Sequence, residues 1–405
     1  MSYWQVSLFA MLLAAAGLPL YIHLPRYATT QMGLDLSTVG GILIGLRVVD
    51  FVQDPFLGRL IDRFPGARAG FAALALGAMA LGFVMLFTVA PPVAPVLWLV
   101  LSLVVVFTGF SLGSILFYGQ SLALAGSREG LIGLAGWREA GTLAGIILAA
   151  IAPVLLAPFD GRDGYALFGG GLAVAAVLVW TATRGLWRPG DASRGRLDYG
   201  ALWSAGGGRL LLLAFVNSLP VAMTSTLFLF FVEDRLMLGG MAGPFLILFF
   251  LASGLSVPFW TVAARRLGTR RVLLFSMSLA ILSFGGAALL PPGAVVGFAL
   301  ICVGSGAALG ADMVILPALF AALTGRAGQV AGQAFGLWSL AGKLALAVAA
   351  VALLPLLDWS GFQPGGTNDA RGLLTLTLAY AVIPCLIKLV AIWMVARLSQ
   401  EVEMR

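Results

Sequence analysis

Twelve long apolar segments constrain the fold of this chain more than any other feature of its sequence. They lie at residues 6–24, 37–60, 69–90, 95–123, 136–157, 164–183, 209–232, 240–263, 271–291, 294–323, 329–357 and 372–396. About 20 apolar residues in a helix cross the ~30 Å hydrocarbon core of a bilayer, so each segment is long enough to span it. The chain is 60% hydrophobic and 10% charged, whereas soluble proteins are nearer ~25% charged. We therefore predict an all-α, multi-pass membrane protein with twelve transmembrane helices.

The segments fall into two sets of six, separated by the longest polar stretch of the chain. The predicted domains are two six-helix bundles, residues 1–184 and 209–405, joined by a cytoplasmic linker at 185–208. Arginines are concentrated in the even-numbered connections, so the positive-inside rule places both termini in the cytoplasm. These arginines also account for the net charge of +7, and no nucleic-acid partner is expected. We expect a monomer in the bacterial inner membrane.

The second segment carries charged residues at membrane depth. Arg47, Asp50 and Asp54 are spaced three and four residues apart, which places them on one helical face. Each ionised group costs at least ~2.5–3.5 kcal/mol there and needs a partner, water or a bound ion. Pro55 has no N–H, so it frees the carbonyl of Phe51 as a further oxygen. Because hard cations prefer oxygen ligands, we predict a Na⁺ or H⁺ coupling site at Asp50 and Asp54, and these carboxylates are the metal ligands if the ion is Na⁺. The alternative is a structural pair of Arg47 with Asp50.

Two lysines lie inside later segments. Lys343 has apolar neighbours for more than a turn on both sides, so we expect it to face a central cavity and pair with Asp50 and Asp54. Lys388 lies nearer the cytoplasmic end, and we expect its ammonium group to extend to the membrane surface.

Other polar residues within the segments leave two interpretations open. Arg138 and Glu139 fit either an interfacial ion pair or a role in the cavity. Asp312 fits either a cavity position or a hydrogen bond between helices. Polar contacts to a solute and close packing of small residues are both compatible with Ser111 and Ser114, which lie near Tyr118.

Glycine pairs at four-residue spacing predict close helix packing at Gly141-x-x-x-Gly145 and Gly332-x-x-x-Gly336. The sequence has no Walker-type phosphate loop, no Cys/His metal motif and no nucleophile–base pair, so neither direct ATP drive nor an enzyme is expected. No cofactor is expected beyond Na⁺ or H⁺ as the coupling ion. The expected partners are a small organic solute, the coupling cation and the lipid bilayer.

Three stretches resemble motifs of known transporters. The stretch Gly58-Arg-Leu-Ile-Asp-Arg63 resembles the signature of the major facilitator superfamily, which implies that fold and a conformational gate at Asp62 and Arg63. Residues 47–55 and 332–343 resemble the second-span and eleventh-span motifs of the melibiose-permease-like sugar:cation symporters, the glycoside–pentoside–hexuronide branch of that superfamily.

This resemblance implies roles for individual residues. In that branch, the carboxylates that match Asp50 and Asp54 bind the coupling cation, and a hydroxyl at the position of Ser111 assists. The residues implied in substrate binding or charge balance are Arg47, Ser114, Tyr118, Arg138, Trp338 and Lys343.

The sequence also departs from the sugar-binding members of the branch. Residues 6–18 include no acid, Ser114 stands at a position of an acid, and Ala321 and Ala322 replace acids at the end of the tenth span. Melibiose and simple galactosides should therefore bind poorly, and a less hydroxylated or anionic solute is expected.

The predicted function is cation-coupled symport of a small organic solute by alternating access. The alternatives are a transporter of a lysophospholipid-like or other amphipathic solute, a proton-driven drug exporter, and a transport-dead membrane sensor or assembly factor.

Overall fold

The chain is helical at nearly every predicted segment. The computed structural model describes residues 3–15, 17, 23–24, 27–28, 31–34, 36–160, 164–187 and 197–398, and no β-strand occurs among them. In this part of the chain, ten helices are long and apolar enough to cross a membrane, and they match the third to twelfth predicted segments. The all-α prediction is confirmed. The side chain of Arg47 and residues 188–196 of the predicted linker lie outside the described residues.

We number the long helices α1 to α12, so that each carries the number of its predicted segment. Their bounds are α1 Tyr3–Ala15, α2 Leu36–Arg63, α3 Arg68–Phe87, α4 Pro95–Gly119, α5 Arg128–Asp160, α6 Tyr165–Thr183, α7 Gly207–Phe230, α8 Ala242–Leu267, α9 Thr269–Gly285, α10 Val295–Arg326, α11 Ala331–Trp359 and α12 Ala370–Ala396.

Prolines lie inside several of these helices without ending them. α2 continues through Pro55, and α7 continues through Pro220. In α12, Pro384 lies two residues after the end of a π-helical turn, Leu378–Val382. Membrane helices tolerate such breaks where neighbouring groups satisfy the freed backbone, and π-turns often mark functional positions.

The first of two compact units contains Met1–Ser127, Trp137–Tyr199 and Thr324–Leu340. Within it, α3 packs against α4 and α6, and α2 packs against α4. Small residues permit the close approach of α3 and α4, because a Cβ atom added at Gly109 of α4 would lie 2.7 Å from the carbonyl oxygen of Ala75 on α3.

The second compact unit contains Arg128–Gly136, Gly200–Leu323 and Ala341–Arg405. Within it, α12 packs against α7 and α9. An aromatic cluster fills part of the core, where the ring of Phe231 stacks on that of Tyr380 with 4.0 Å between centroids. The predicted division of the chain at residues 185–208 stays a prediction.

Candidate functional site

Helix α2 buries its acidic face and exposes apolar side chains elsewhere. Asp50 is 1% exposed and Asp54 is 0% exposed, whereas Val52 is 69% exposed. This is the reverse of a helix in a soluble protein, because charged groups in a membrane helix face the protein interior. The two carboxylates therefore lie one turn apart on the protein-facing side, as the sequence predicts.

Asp50 belongs to a hydrogen-bond chain that joins α2 to α4. The amide nitrogen of Gln53 donates to Oδ1 of Asp50 at 2.9 Å. The hydroxyl of Thr108 on α4 donates to the amide oxygen of Gln53, also at 2.9 Å. Thr108 thus orients the Gln53 amide, which in turn holds the Asp50 carboxylate.

Asp54 contacts the beginning of α11, although the two lie far apart in sequence. The hydroxyl of Ser339 donates to Oδ2 of Asp54 at 2.6 Å. This contact requires close packing, since a Cβ atom added at Gly336 would lie 2.9 Å from the backbone oxygen of Asp54. A methyl group at Gly58 would likewise lie 2.5 Å from the carbonyl oxygen of Gly332. The prediction that Gly332 and Gly336 form a packing face is confirmed.

The oxygen atoms around these carboxylates could hold a hard cation. The described residues contain no group of three or more His, Cys, Asp or Glu side chains that could hold a metal ion. A Na⁺ ion at Asp50 and Asp54 would therefore take its remaining ligands from neutral oxygens, such as the hydroxyl of Ser339 or backbone carbonyls.

A second buried charge cluster lies where α5 meets α4. Nε of Arg138 is 2.9 Å from Oε1 of Glu139, and these two side chains are 4% and 1% exposed. The guanidinium of Arg138 also lies over the ring of Tyr118, 4.1 Å from its centroid, a cation–π geometry. Of the two interpretations left open by the sequence, the ion pair is therefore present, but both members are buried.

Aromatic rings continue from this cluster towards α11. The centroid of the Tyr118 ring is 5.8 Å from that of Phe335, which is 6.4 Å from that of Trp338. Three residues implied in substrate binding, Tyr118, Arg138 and Trp338, thus belong to one cluster of the first unit.

Asp62, beyond the second predicted segment, contacts the first turn of α11. Its Oδ1 accepts from the backbone N–H of Gly332 at 2.9 Å, and its Oδ2 accepts from that of Gln333 at 2.6 Å. These donors have no partner within their own helix, and an anion at a helix N-terminus interacts favourably with the helix dipole. Burial raises the pKa of the Asp62 carboxyl, and the hydrogen bonds from Gln333 and Gly332 oppose that rise. Arg63 is exposed and lies over the ring of Phe64.

Comparison with known proteins places this arrangement in a family. The family model described as MFS/sugar transport protein matches residues 5–400. The chain belongs to this family. This confirms the membership of the major facilitator superfamily that the sequence motifs indicate. A search of curated protein sequences found no match.

Solved structures of other members of the superfamily share the fold. A bacterial homologue of the iron transporter ferroportin, crystallised in an outward-facing state, has a TM-score of 0.74 at 18% identity, with 96% of this chain and 99% of that chain covered. The proton:xylose symporter XylE, bound to 6-bromo-6-deoxy-D-glucose, has a TM-score of 0.64 at 13% identity, with 96% and 95% covered. At these identities the likeness establishes the major facilitator fold alone.

Three other predicted site residues of this family member are buried or partly buried. Ser111 on α4 is 1% exposed, and Ser114 is partly buried. Lys343 is partly buried and belongs to the second unit. Its expected place beside Asp50 and Asp54 stays a prediction. The predicted packing face at Gly141 and Gly145 is confirmed, because both glycines press against the backbone of α1.

The expectation for Lys388 was wrong. Its ammonium does not extend to the membrane surface, since the residue is only 6% exposed. Nζ lies 2.6 Å from Oδ2 of Asp312 and 2.6 Å from Oδ1 of Asn217. The Asn217 amide also donates to Oδ2 of Asp312 at 3.1 Å. These contacts outweigh snorkelling, because a buried ammonium with a carboxylate partner no longer needs water.

Sequence reasoning missed several polar partners. Ser339 lies four residues before Lys343 in the eleventh-span motif, and Gln53 lies between the two acids of α2. Both residues therefore belong to stretches that the sequence motifs had identified as functional. Thr108 and Asn217 gave no comparable signal, because a single neutral polar residue in an apolar segment is common in membrane helices.

Proposed function

We propose that this protein is a cation-coupled symporter for a small organic solute, with Asp50 and Asp54 as the coupling site. The observation that supports this is the pair of fully buried carboxylates one turn apart on α2, with the Ser339 hydroxyl on Asp54. Two like charges so close together in a medium of low dielectric constant repel, and a proton or Na⁺ bound between them removes the repulsion. Cation binding therefore favours a compact site.

Coupling of this kind supplies enough free energy for accumulation of the solute. One cation that moves inward gains ~2.3 kcal/mol per 100 mV of membrane potential. At ~1.4 kcal/mol per tenfold change, this supports roughly fifty-fold accumulation before any ion gradient is added. We place this activity in the bacterial inner membrane.

The cluster of Arg138, Tyr118 and Trp338 supports a solute site in the same unit. Arg138 is already paired with Glu139, so the cluster is charge-balanced, and its rings would contact an apolar body. A less hydroxylated, uncharged solute therefore fits better than a galactoside. A transporter of a lysophospholipid-like solute or a proton-driven drug exporter could use the same buried carboxylates for coupling, whereas a transport-dead sensor would need no cation there.

We further propose that Asp62 and Arg63 form a conformational gate. The two hydrogen bonds from the first turn of α11 to Asp62 would break and re-form once in each transport cycle. The free-energy cost of each break is small, because an exposed backbone N–H group can bind water instead.

Cation binding can be tested before the solute is known. We expect NaCl to raise the apparent melting temperature of the purified protein above its value in choline chloride at equal ionic strength, since a ligand of the native state stabilises it. Asp54→Asn should remove this rise. Asp358→Asn, the same change at an exposed residue near the end of α11, should retain it.

If the coupling ion is H⁺, NaCl should have no effect on the melting temperature. A pH jump in buffer-free solution should then release one more proton from the wild-type protein than from Asp54→Asn. A Na⁺ effect or proton release that survives Asp54→Asn unchanged would refute the proposed coupling site.

A further inference from the structure

The second unit contains a cavity that the proposed coupling site does not use. It has a volume of about 60 Å³ and lies between α7, α8, α9, α10 and α12. Most of its lining is apolar, with Phe249, Ile281, Phe284 and Leu309 among the contributors. Asp312 and Lys388 form part of the same lining. The cavity is therefore an apolar space with one charged end, which is the usual character of a small-molecule site.

The charged end has unused hydrogen-bonding capacity. Oδ2 of Asp312 accepts from both Lys388 and Asn217. Oδ1 of Asp312 is buried and has no hydrogen-bond partner among the described residues. The ammonium of Lys388 has three donors, and two of them are directed at Asn217 and Asp312. Oδ1 of Asp312 thus remains as a strong acceptor, and one N–H of the Lys388 ammonium remains as a donor.

The other polar groups of the lining offer little competition. The hydroxyl of Thr224 donates to the backbone oxygen of Val221, and that of Ser305 donates to the backbone oxygen of Ile301. A ligand in the cavity would therefore find its polar contact at Asp312 and Lys388 and apolar contacts over most of the remaining surface.

Charge balance indicates which ligand fits. Lys388 and Asp312 carry one positive and one negative charge, so an ionised ligand would leave a net charge in a low-dielectric space, which is costly. A neutral hydroxyl avoids this cost, and it can donate to Oδ1 of Asp312 while it accepts from Lys388. A polyol would bury further hydroxyls against apolar side chains and leave them unsatisfied.

The cavity has room for a small ligand. A cavity needs roughly 10–15 Å³ to hold one water molecule. The observed volume of about 60 Å³ therefore accommodates a ligand of a few non-hydrogen atoms.

We propose that this cavity binds a small uncharged solute with one hydroxyl on an apolar body, and that Asp312 and Lys388 together bind the hydroxyl. The inference goes beyond the proposed function, because this site belongs to the second unit, whereas the solute site proposed at Arg138 belongs to the first. It assigns the recognition of the uncharged ligand to α10 and α12.

The chain provides a reporter for this site. Cys385 lines the cavity and is partly buried, and Cys302 is the second cysteine of the chain. In a Cys302→Ala background, the rate of alkylation of Cys385 by N-ethylmaleimide reports access to the cavity. The assay uses the full-length purified protein in KCl without Na⁺, so it does not depend on cation coupling and fails or succeeds independently of that proposal.

Four-carbon probes separate the chemical classes. We expect n-butanol to slow the alkylation of Cys385, to about half its rate when the alcohol is at its Kd. Its isomer diethyl ether enters bilayers and micelles but cannot donate to Asp312, and it should protect much less. Butylammonium, butyrate and erythritol test a cation, an anion and a polyol, and they should not protect.

The double variant Asp312→Asn/Lys388→Met keeps the site neutral and should lose the protection by n-butanol while Cys385 still reacts. Equal protection by diethyl ether, stronger protection by any of the other three probes, no protection by n-butanol, or unchanged protection in the double variant would each overturn the proposal.

Discussion

Asp54 on α2 and Asp312 on α10 are both buried carboxylates in apolar helices, but they differ in the groups that donate to them. Asp54 accepts from the neutral hydroxyl of Ser339 and has a second acid, Asp50, one turn away. Asp312 accepts from the ammonium of Lys388, which is covalently part of the chain, and from the Asn217 amide. The α2 site thus brings two acids within one turn of each other, and the α10–α12 site pairs one acid with an ammonium group.

This difference indicates two uses for intramembrane charge. A carboxylate that is matched by a tethered ammonium needs no mobile ion, so its charge is compensated at every stage of a transport cycle. Two adjacent carboxylates repel and respond to a mobile cation. We therefore expect substitutions at the α10–α12 site to affect stability most, and substitutions at the α2 site to affect cation dependence most.

The largest expected effect is that of Lys388→Met. It leaves Asp312 buried without its positive partner, which costs about 3–5 kcal/mol of unfolding free energy for pairs of this kind. Adding Asp312→Asn should restore most of the loss, because the double variant buries no charge. Thermal unfolding of the two variants in detergent checks this. If the single variant is as stable as the double variant, the pair contributes little and the contrast between the two sites fails.

The sequence predicted the helices and the buried acidic face of α2 better than the contacts of Lys388, for a physical reason. Apolar segment length determines whether a helix can span a bilayer, and spacing along one helix determines which residues share a face. Asp50 and Asp54 lie on the same helix, so their relation could be inferred directly. Lys388 depends on Asp312 and Asn217, which lie on two other helices, and nothing in one sequence specifies which faces of separate helices meet.

The same limit applies to the contacts between α2 and α11. The glycines of the eleventh-span motif predicted a packing face, but they did not indicate its partner. Only the folded chain shows that residues of α2, Asp54, Gly58 and Asp62 among them, meet it.

An intermediate effect is expected where this packing is closest. Gly58→Ala should cost about 1–3 kcal/mol, because overpacking a tight contact shifts the backbone, and here the added methyl would lie 2.5 Å from the carbonyl oxygen of Gly332. Gly45 is on the same helix, and a Cβ atom added there would have no neighbour within 4 Å, so Gly45→Ala is the matched control. It should be neutral or stabilise by up to about 1 kcal/mol through helix propensity.

Melting temperatures of the two variants, each with NaCl and with choline chloride, measure both effects. Gly58→Ala should also weaken the Na⁺ effect, because it displaces Ser339 from Asp54. Equal melting temperatures and equal Na⁺ effects in the two variants would show that neither stability nor cation binding depends on the close contact of α2 with α11.

The smallest expected effect compares two helix N-termini, one in each unit. Asp62 accepts from the first turn of α11 across a tertiary contact. Asp369 is the N-cap of α12 and accepts locally from the backbone N–H of Gly372 at 2.8 Å. Asp62→Asn removes one of two acceptor oxygens and the negative charge, and it should cost about 0.3–1 kcal/mol. Asp369→Asn should change little, since Asn is as good an N-cap as Asp.

Hydrogen exchange of individual amides resolves a difference this small, because the backbone N–H groups of Gly332 and Gln333 are the donors that Asp62→Asn affects. Their exchange should quicken severalfold, at about tenfold per 1.4 kcal/mol. The exchange at Gly372 in Asp369→Asn should remain near the wild-type rate. If Gly332 and Gln333 exchange at the wild-type rate in Asp62→Asn, the charge of Asp62 does not hold α11, and a gate at this residue loses its physical basis.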